Sequence, residues 1–321
     1  AAIILAGALA ALYGVMQNFG WDFVMWNPQT YSASRLFGTL GNPNFLAAYV
    51  LMALPLAAMA FFLARRGGGK GLLLATVLVM LVCLFFTKSR GAVYALAVQL
   101  VLFAAYLIFD RRRPASLASA NRRWLIVFAV LAVLSLGAPQ VRQAMVSTLQ
   151  RTAATLDVSQ IKLTPRLYIW RSALQMMRDK PLLGSGLDTF QITFPKYRLA
   201  EYWRLEWNGT PEKAHNFFLQ IGATTGLLGL GVWVWLLAAY FWIMFRRIRS
   251  LPPPRNHWAA AVVIAQIGFL VQNQFNFTVV AYGSLFWFLL ALGPVLHRES
   301  PETPPASAAA APARTFGDRL G

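Results

Sequence analysis

Apolar residues run along this chain in long blocks separated by short polar gaps. The blocks fall near 1–17, 42–64, 71–87, 91–109, 124–139, 215–245, 258–273 and 278–296. Each approaches or exceeds the roughly 17–25 residues of helix that cross a bilayer core. The short alternating segments of a closed strand barrel are not visible. The pattern therefore predicts an all-α polytopic membrane protein with eight transmembrane helices. Five lie in residues 1–139 and three in 215–297, and the long polar segment 140–214 separates them. Composition agrees: the chain is 58% hydrophobic and 12% charged, where soluble domains are about a quarter charged.

Charge orients the spans. The formal net charge of +18 could suggest nucleic acid, but its distribution does not. Arg65, Arg66 and Lys70 share one short gap, and Arg111, Arg112, Arg113, Arg122 and Arg123 share another. Arg246, Arg247, Arg249 and Arg255 share a third. Short basic loops between spans mark the cytoplasmic side and meet anionic lipid. Alternation then places 65–70, 110–123, 246–257 and the tail after 297 inside. It places 18–41, the Lys88-Ser89-Arg90 turn, 140–214 and 274–277 outside, so all three basic clusters share a face. The single cysteine, Cys83, lies within a span and forms no intrachain disulfide.

The chain begins with Ala1 and has no basic segment before its first span, which predicts a fragment lacking upstream spans. The Pro- and Ala-rich stretch 298–321 reads as a disordered cytoplasmic tail.

Chemistry is expected in the outer segment 140–214, which holds eleven basic and six acidic residues. Long loops are translocated regardless of charge, so this excess is compatible with an outer position. It suits either a solvated surface or an anionic ligand presented from the bilayer, phosphate above all. Within it a helix is signalled after Thr164 and Pro165 and is stopped by Pro181 and Gly184. Leu167, Trp170, Leu174 and Met177 form an apolar stripe along it, Arg166 projects from its first turn, and Arg171 follows five positions on. Leu183-Gly184-Ser185-Gly186 reads as a turn, lacking the strand and Lys-Ser/Thr of a phosphate loop. Phe190, Phe194, Tyr197, Tyr202, Trp203 and Trp207 suit either a headgroup-level belt or stacking on sugar rings.

Three further outer sites stand out. Thr87-Lys88-Ser89-Arg90-Gly91 pins two cations at a tight turn, where Lys88 either snorkels or serves a site. Gly41-Asn42-Pro43-Asn44 opens a span, and helix capping accounts for one of its asparagines but not both. His215, followed by Asn216, is one of three histidines and starts a span from the outer side. A helix start disfavours the imidazolium and keeps the ring a base. No cluster of Cys, His and carboxylates has metal-ligand spacing, so no metal and no cofactor is expected.

These stretches resemble the O-antigen ligase and polymerase superfamily of bacterial envelope enzymes. The resemblance runs from about residue 35 to 296. Gly41-Asn42-Pro43-Asn44 and Ser89-Arg90-Gly91-Ala92 carry it first. Arg166…Trp170 running into Pro181-Leu182-Leu183-Gly184-Ser185-Gly186 follows, then His215-Asn216 with Gly226 beyond. It implies ten or more helices with one large periplasmic or extracellular loop, in the bacterial cytoplasmic (inner) membrane. It also implies inverting transfer of a glycan from undecaprenyl pyrophosphate to an acceptor hydroxyl, without a metal or nucleotide sugar. The acceptor would be a lipid-core sugar, a further glycan repeat or a protein hydroxyl. Carried over by motif, Arg90 and Arg166 bind the pyrophosphate and His215 takes the acceptor proton. Lys88, Asn42, Asn44, Asn216 and Arg171 are the supporting candidates.

An alternative from another class is a transporter or channel for a small, bicarbonate-like anion. It draws on the many spans and on Gln266, Gln272, Asn273, Gln274 and Asn276, since polar groups within a membrane are costly. These residues have no ionisable partners, and no pair of short broken spans marks an inverted repeat. Lining a lipid-phosphate cavity or joining helices suits them better.

Overall fold

The computed structural model describes residues 1–24, 35–64, 68–109, 137–154, 165–207 and 209–295, with further helical positions at 123, 126, 127 and 129–131. The described residues contain helices and turns and no strand. Local chemistry sets many helix starts. After α1 (Ala2–Asn18), Asn42 sits in extended backbone, accepts from the Asn44 amide at 2.8 Å and precedes Pro43 at the first position of α2 (Pro43–Leu63). Next come α3 (Gly68–Phe86) and α4 (Arg90–Phe109), joined by a tight turn in which Lys88 has φ +48°. Pro139 starts α5 (Pro139–Ala153), and α6 (Pro165–Asp179) begins likewise at a proline. The short helices α7 (Phe190–Thr193) and α8 (Ala200–Leu205) follow. The last described helices are α9 (Phe217–Ser250), α10 (Arg255–Gln272) and α11 (Val280–Val295).

Five of these helices, α2, α3, α4, α9 and α10, are long and apolar enough to cross a membrane, whereas α1 and α11 are shorter. The expected 124–139 span lies largely outside the described residues, as do the 110–122 loop, Thr164 and the tail. At the centre of the bundle stands α2, which packs against α1, α3, α4, α10 and α11. Leu46, Val50, Leu51 and Met52 are completely buried in it. Between apolar helices in lipid, close fit and amide ties matter more than exclusion of water. One such tie is Gln99 on α4, whose Nε2 donates to Leu51 O at 2.8 Å and Ile264 O at 3.4 Å. Another is Gln266, which donates from α10 to Phe286 O on α11 at 2.9 Å.

Four connections meet at one end of the bundle. Arg35, from the α1–α2 connection, donates to Thr87 O in the α3–α4 turn at 2.9 Å. Thr148 of α5 donates to Phe85 O at 3.1 Å. Gln272 at the end of α10 donates to Asn44 O at 3.1 Å, and Asn216 donates to Gln274 O at 3.1 Å. These are the same four segments that alternation of the spans assigns to one face.

The expected continuous span from 215 is instead a broken helix. Gly226 has φ +69° and ψ −170°, so α9 bends sharply there. The rings of Phe217 and Trp233 lie 5.4 Å apart edge to face, although sixteen residues of straight helix would part them by about 24 Å. The two limbs therefore fold back on each other. The 181–186 elbow seals the break: Leu227 N donates to Pro181 O at 2.7 Å and Leu228 N to Leu182 O at 3.3 Å. In return Ser185 N donates to Ala223 O at 3.0 Å and Gly186 N to Thr224 O at 2.9 Å. This contact requires glycine on both sides. A Cβ on Gly226 would sit 2.2 Å from Leu182 O, and one on Gly184 (φ +67°) 2.5 Å from the Thr224 carbonyl carbon.

Candidate active site

Where the four connections meet lies a polar cavity of about 130 Å³. Arg35, Arg90, Arg151, Arg166 and Lys88 line it, together with Asn44, Ser89, Gly91, Gln272 and Phe275. Among the described residues its lining holds five cationic side chains and no carboxylate. Each cation comes from a different local device. Arg90 is the first residue of α4, aimed by the Lys88 turn, and Arg166 is in the first turn of α6. Arg151 ends α5, which Thr148 and the Tyr94 hydroxyl (to Thr152 O, 3.4 Å) hold against α3 and α4. Arg35 is braced by two bonds, from Nε to Thr87 O and from Nη2 to Asn44 Oδ1 at 3.2 Å.

The electrostatics follow from this crowding. Burial, then Arg151, Arg166 and Arg90, lower the Arg35 pKa to about 10, and burial with Arg90 lowers that of Arg166. Both guanidinium groups stay charged at neutral pH. Clustering like charges in this way costs free energy that an anionic ligand would recover.

His215 stands beside this cage, at φ +52° immediately before the Asn216 cap of α9. Asn216 Oδ1 accepts from Leu219 N at 3.0 Å, and its amide reaches the segment after α10. That segment puts Phe275 in the cavity wall and Phe277 edge-on to His215, with centroids 5.2 Å apart. His215 Nδ1 is enclosed with no hydrogen-bond partner among the described residues. Burial first, then Arg166, lower its pKa from the ordinary 6.5 to about 4. The ring is thus neutral as expected, but burial and an arginine keep it so, where a helix start was the expected cause.

Several expected residues meet here. Arg90, Arg166, Lys88 and Asn44 line the cavity, and His215 and Asn216 adjoin it. The two asparagines divide as capping arithmetic suggests: Asn42 caps α2 while Asn44 braces Arg35. Arg171 is not part of the site. It is exposed and lies over the Tyr168 ring at 5.8 Å, because five positions along a helix turn a side chain to another face. The stripe on α6 is corrected too. Leu174 is exposed, and the buried face is Ile169, Ser172, Ala173 and Met176. Phe190, Phe194 and Tyr202 form the core under α6 with Ala214 and Ala223, so they neither line a headgroup belt nor stack on sugars. Trp203 pairs with Trp207 at 5.5 Å and with the Arg198 guanidinium at 3.8 Å. Arg35 and Arg151 escaped the sequence reading. The available signals were an isolated arginine just before Gly41-Asn42-Pro43-Asn44, and Pro139 opening an amphipathic helix with Arg151 in its last turn.

Residues 75–234 match the O-antigen ligase family, a stretch that includes Arg90, Arg151, Arg166 and His215. The chain belongs to the O-antigen ligase family. It is also similar to a protein of Rickettsia bellii (strain RML369-C) named "Putative polysaccharide ligase", with 32% identity over 76 residues. That similarity covers 23% of this chain and 19% of the relative's length. Arg35, Asn44 and Gln272 lie outside the family match, yet in this O-antigen ligase family member they complete the wall around Arg90 and Arg166.

Proposed function

We propose that this protein transfers a glycan from undecaprenyl pyrophosphate to an acceptor hydroxyl at the outer face of the bacterial cytoplasmic membrane. One observation carries the reading: a cavity whose described lining brings together four arginines and a lysine, beside a neutral histidine. The chemistry divides between them. As the glycosidic bond breaks, negative charge grows on the departing pyrophosphate, and preorganised guanidinium groups stabilise it most where water is scarce. Arg90 and Arg166, with Arg35 and Arg151 beside them, would fill that role through planar, permanently charged forks. His215 would accept the acceptor hydroxyl proton as the oxygen attacks the anomeric carbon from the side opposite the leaving group. That geometry inverts the configuration.

Donor binding and base strength are coupled in this arrangement. Arg166 helps to hold the His215 pKa down. A pyrophosphate held among the arginines offsets that charge and makes His215 a stronger base once the donor is loaded. The amides that could suggest an anion pathway instead donate their NH2 groups in ties between and within helices: Gln266 to Phe286 O, Gln272 to Asn44 O, Asn273 to Phe269 O and Gln274 to Leu270 O.

The test is transfer by purified protein in proteoliposomes supplied with lipid-linked oligosaccharide and acceptor. His215→Ala and Arg166→Ala should abolish transfer while membrane insertion and yield stay normal. Arg166→Lys should fail as well, because a lysine cannot make the two parallel bonds of the fork. Full activity in His215→Ala would remove the base from the mechanism. Near-normal turnover in Arg166→Lys would reduce Arg166 to a point charge.

A further inference from the structure

The elbow that seals the break in α9 carries a surface with a different purpose. Leu182, Leu183, Leu187 and Ile192 are 62%, 75%, 80% and 79% exposed. They come from a segment whose other apolar residues, Phe190 and Phe194, are completely buried. Four large aliphatic side chains exposed within eleven residues would be costly in water.

Their height relative to the membrane can be read from α9. Residues 226–245 are twenty positions without a charge, and Arg246, Arg247 and Arg249 follow. At 1.5 Å per residue that run spans about 30 Å, the thickness of the hydrocarbon core, so its upper edge falls at the Gly226 break. Exposed apolar side chains cover the run from Leu227 and Leu228 through Val232, Val234, Trp235 and Trp242 to Phe245. The elbow is hydrogen-bonded to this upper edge, Pro181 O to Leu227 N and Leu182 O to Leu228 N. Its leucines therefore continue the lipid-facing surface of α9. Charge borders them as it would at headgroup level: Lys180 precedes the elbow, and the Asp188–Lys213 ion pair follows Leu187.

We propose that the 181–192 segment is a membrane anchor whose leucines and isoleucine enter the outer margin of the bilayer and contact lipid acyl chains. Because α6 ends at this elbow, the anchor fixes the height of the helix that carries Arg166. The proposal rests on α9 crossing the membrane and does not depend on the reaction assigned to the site.

The experiment is nitroxide labelling of Leu183→Cys, Leu187→Cys and, as a water-facing control, Glu201→Cys, each in a Cys83→Ala background. The proteins are reconstituted in phosphatidylethanolamine–phosphatidylglycerol vesicles. Collision with oxygen, which concentrates in lipid, is compared with collision with a water-soluble nickel chelate. The labels at 183 and 187 should favour oxygen, and the label at 201 should favour nickel, so the ratio inverts between them. Nickel access at 183 and 187 equal to that at 201 would place the elbow in water and overturn the anchor. Shielding from both reagents would mean that protein covers the patch, and would overturn it equally.

Discussion

At the scale of the residue, His215 owes its neutrality to burial and to Arg166, and both influences can be titrated. A base must be deprotonated to act, and a pKa of about 4 leaves the ring fully neutral at pH 7 and charged only as pH falls through that value. In the proposed reaction kcat/KM, which reports the free enzyme, should stay flat from neutral pH and decline on an acid limb near pH 4. The limb of kcat should lie at higher pH, because the donor pyrophosphate offsets the arginine charge. Initial rates between pH 4 and 8 at low and saturating donor would check this; coincident limbs would break the coupling between cage and base. Arg35 and Arg151 give a second prediction. Removing one charge-assisted contact costs about 1.5–3 kcal/mol, or roughly 10- to 150-fold in affinity. Arg35→Gln and Arg151→Gln should weaken binding of inorganic pyrophosphate by that order in calorimetry at fixed salt, whereas Arg171→Gln, outside the cage, should not. Unchanged binding in Arg151→Gln would leave that arginine a packing role only.

At the scale of the element, the break in α9 is held to the 181–186 elbow that follows α6, and Gly226 is the position least tolerant of a side chain. An alanine there must adopt φ +69° and place its Cβ 2.2 Å from Leu182 O. The backbone strain alone is worth about 1–3 kcal/mol, and the clash adds to it. Gly226→Ala should lower the thermal unfolding midpoint in detergent by several degrees or prevent folding. Gly231→Ala, whose Cβ would meet nothing within 4 Å, should leave it nearly unchanged. Equal midpoints would show that the elbow contact is dispensable. The break also shows what the sequence could carry. Of the eight apolar blocks, five coincide with helices long and apolar enough to cross a membrane, because length and hydropathy are local properties. They could not mark a fold-back, because glycine is common in membrane helices and the partner at Pro181-Leu182 is 45 residues away. The stripe on α6 misled for a related reason. Two faces of that helix are apolar at helical spacing, and the large one looked more hydrophobic. Contact with α9 instead selects the face carrying Ser172 and Ala173, where helices approach closely. Arg90 and Arg166 were legible through motifs in this order. Arg35 and Arg151 were not, because an arginine's partners are set by which ends of the bundle meet.

For the whole molecule, the decisive matter is that one end of the bundle collects the cavity's cations and His215, while a described basic cluster lies at the far end of α9. The Lys88 turn, the start of α2, Arg151 of α5, Arg166 of α6 and the turn after α10 converge on the cage. The described basic residues Arg246, Arg247 and Arg249 lie at the far end of α9, beyond its uncharged run. Short loops rich in arginine are held on the cytoplasmic side, so the cage should face outward, where a lipid-linked glycan would be met. Cysteines placed at the exposed Trp207 and at Arg249 report this directly. Native Cys83 is completely buried and should give little background. In intact cells a membrane-impermeant maleimide should label Trp207→Cys and spare Arg249→Cys until the membrane is permeabilised. The reverse pattern would put the arginine cage in the cytoplasm. The donor would then have to be met on the inner leaflet, and the proposed transfer at the outer face would fail with it, whatever the individual arginines bind.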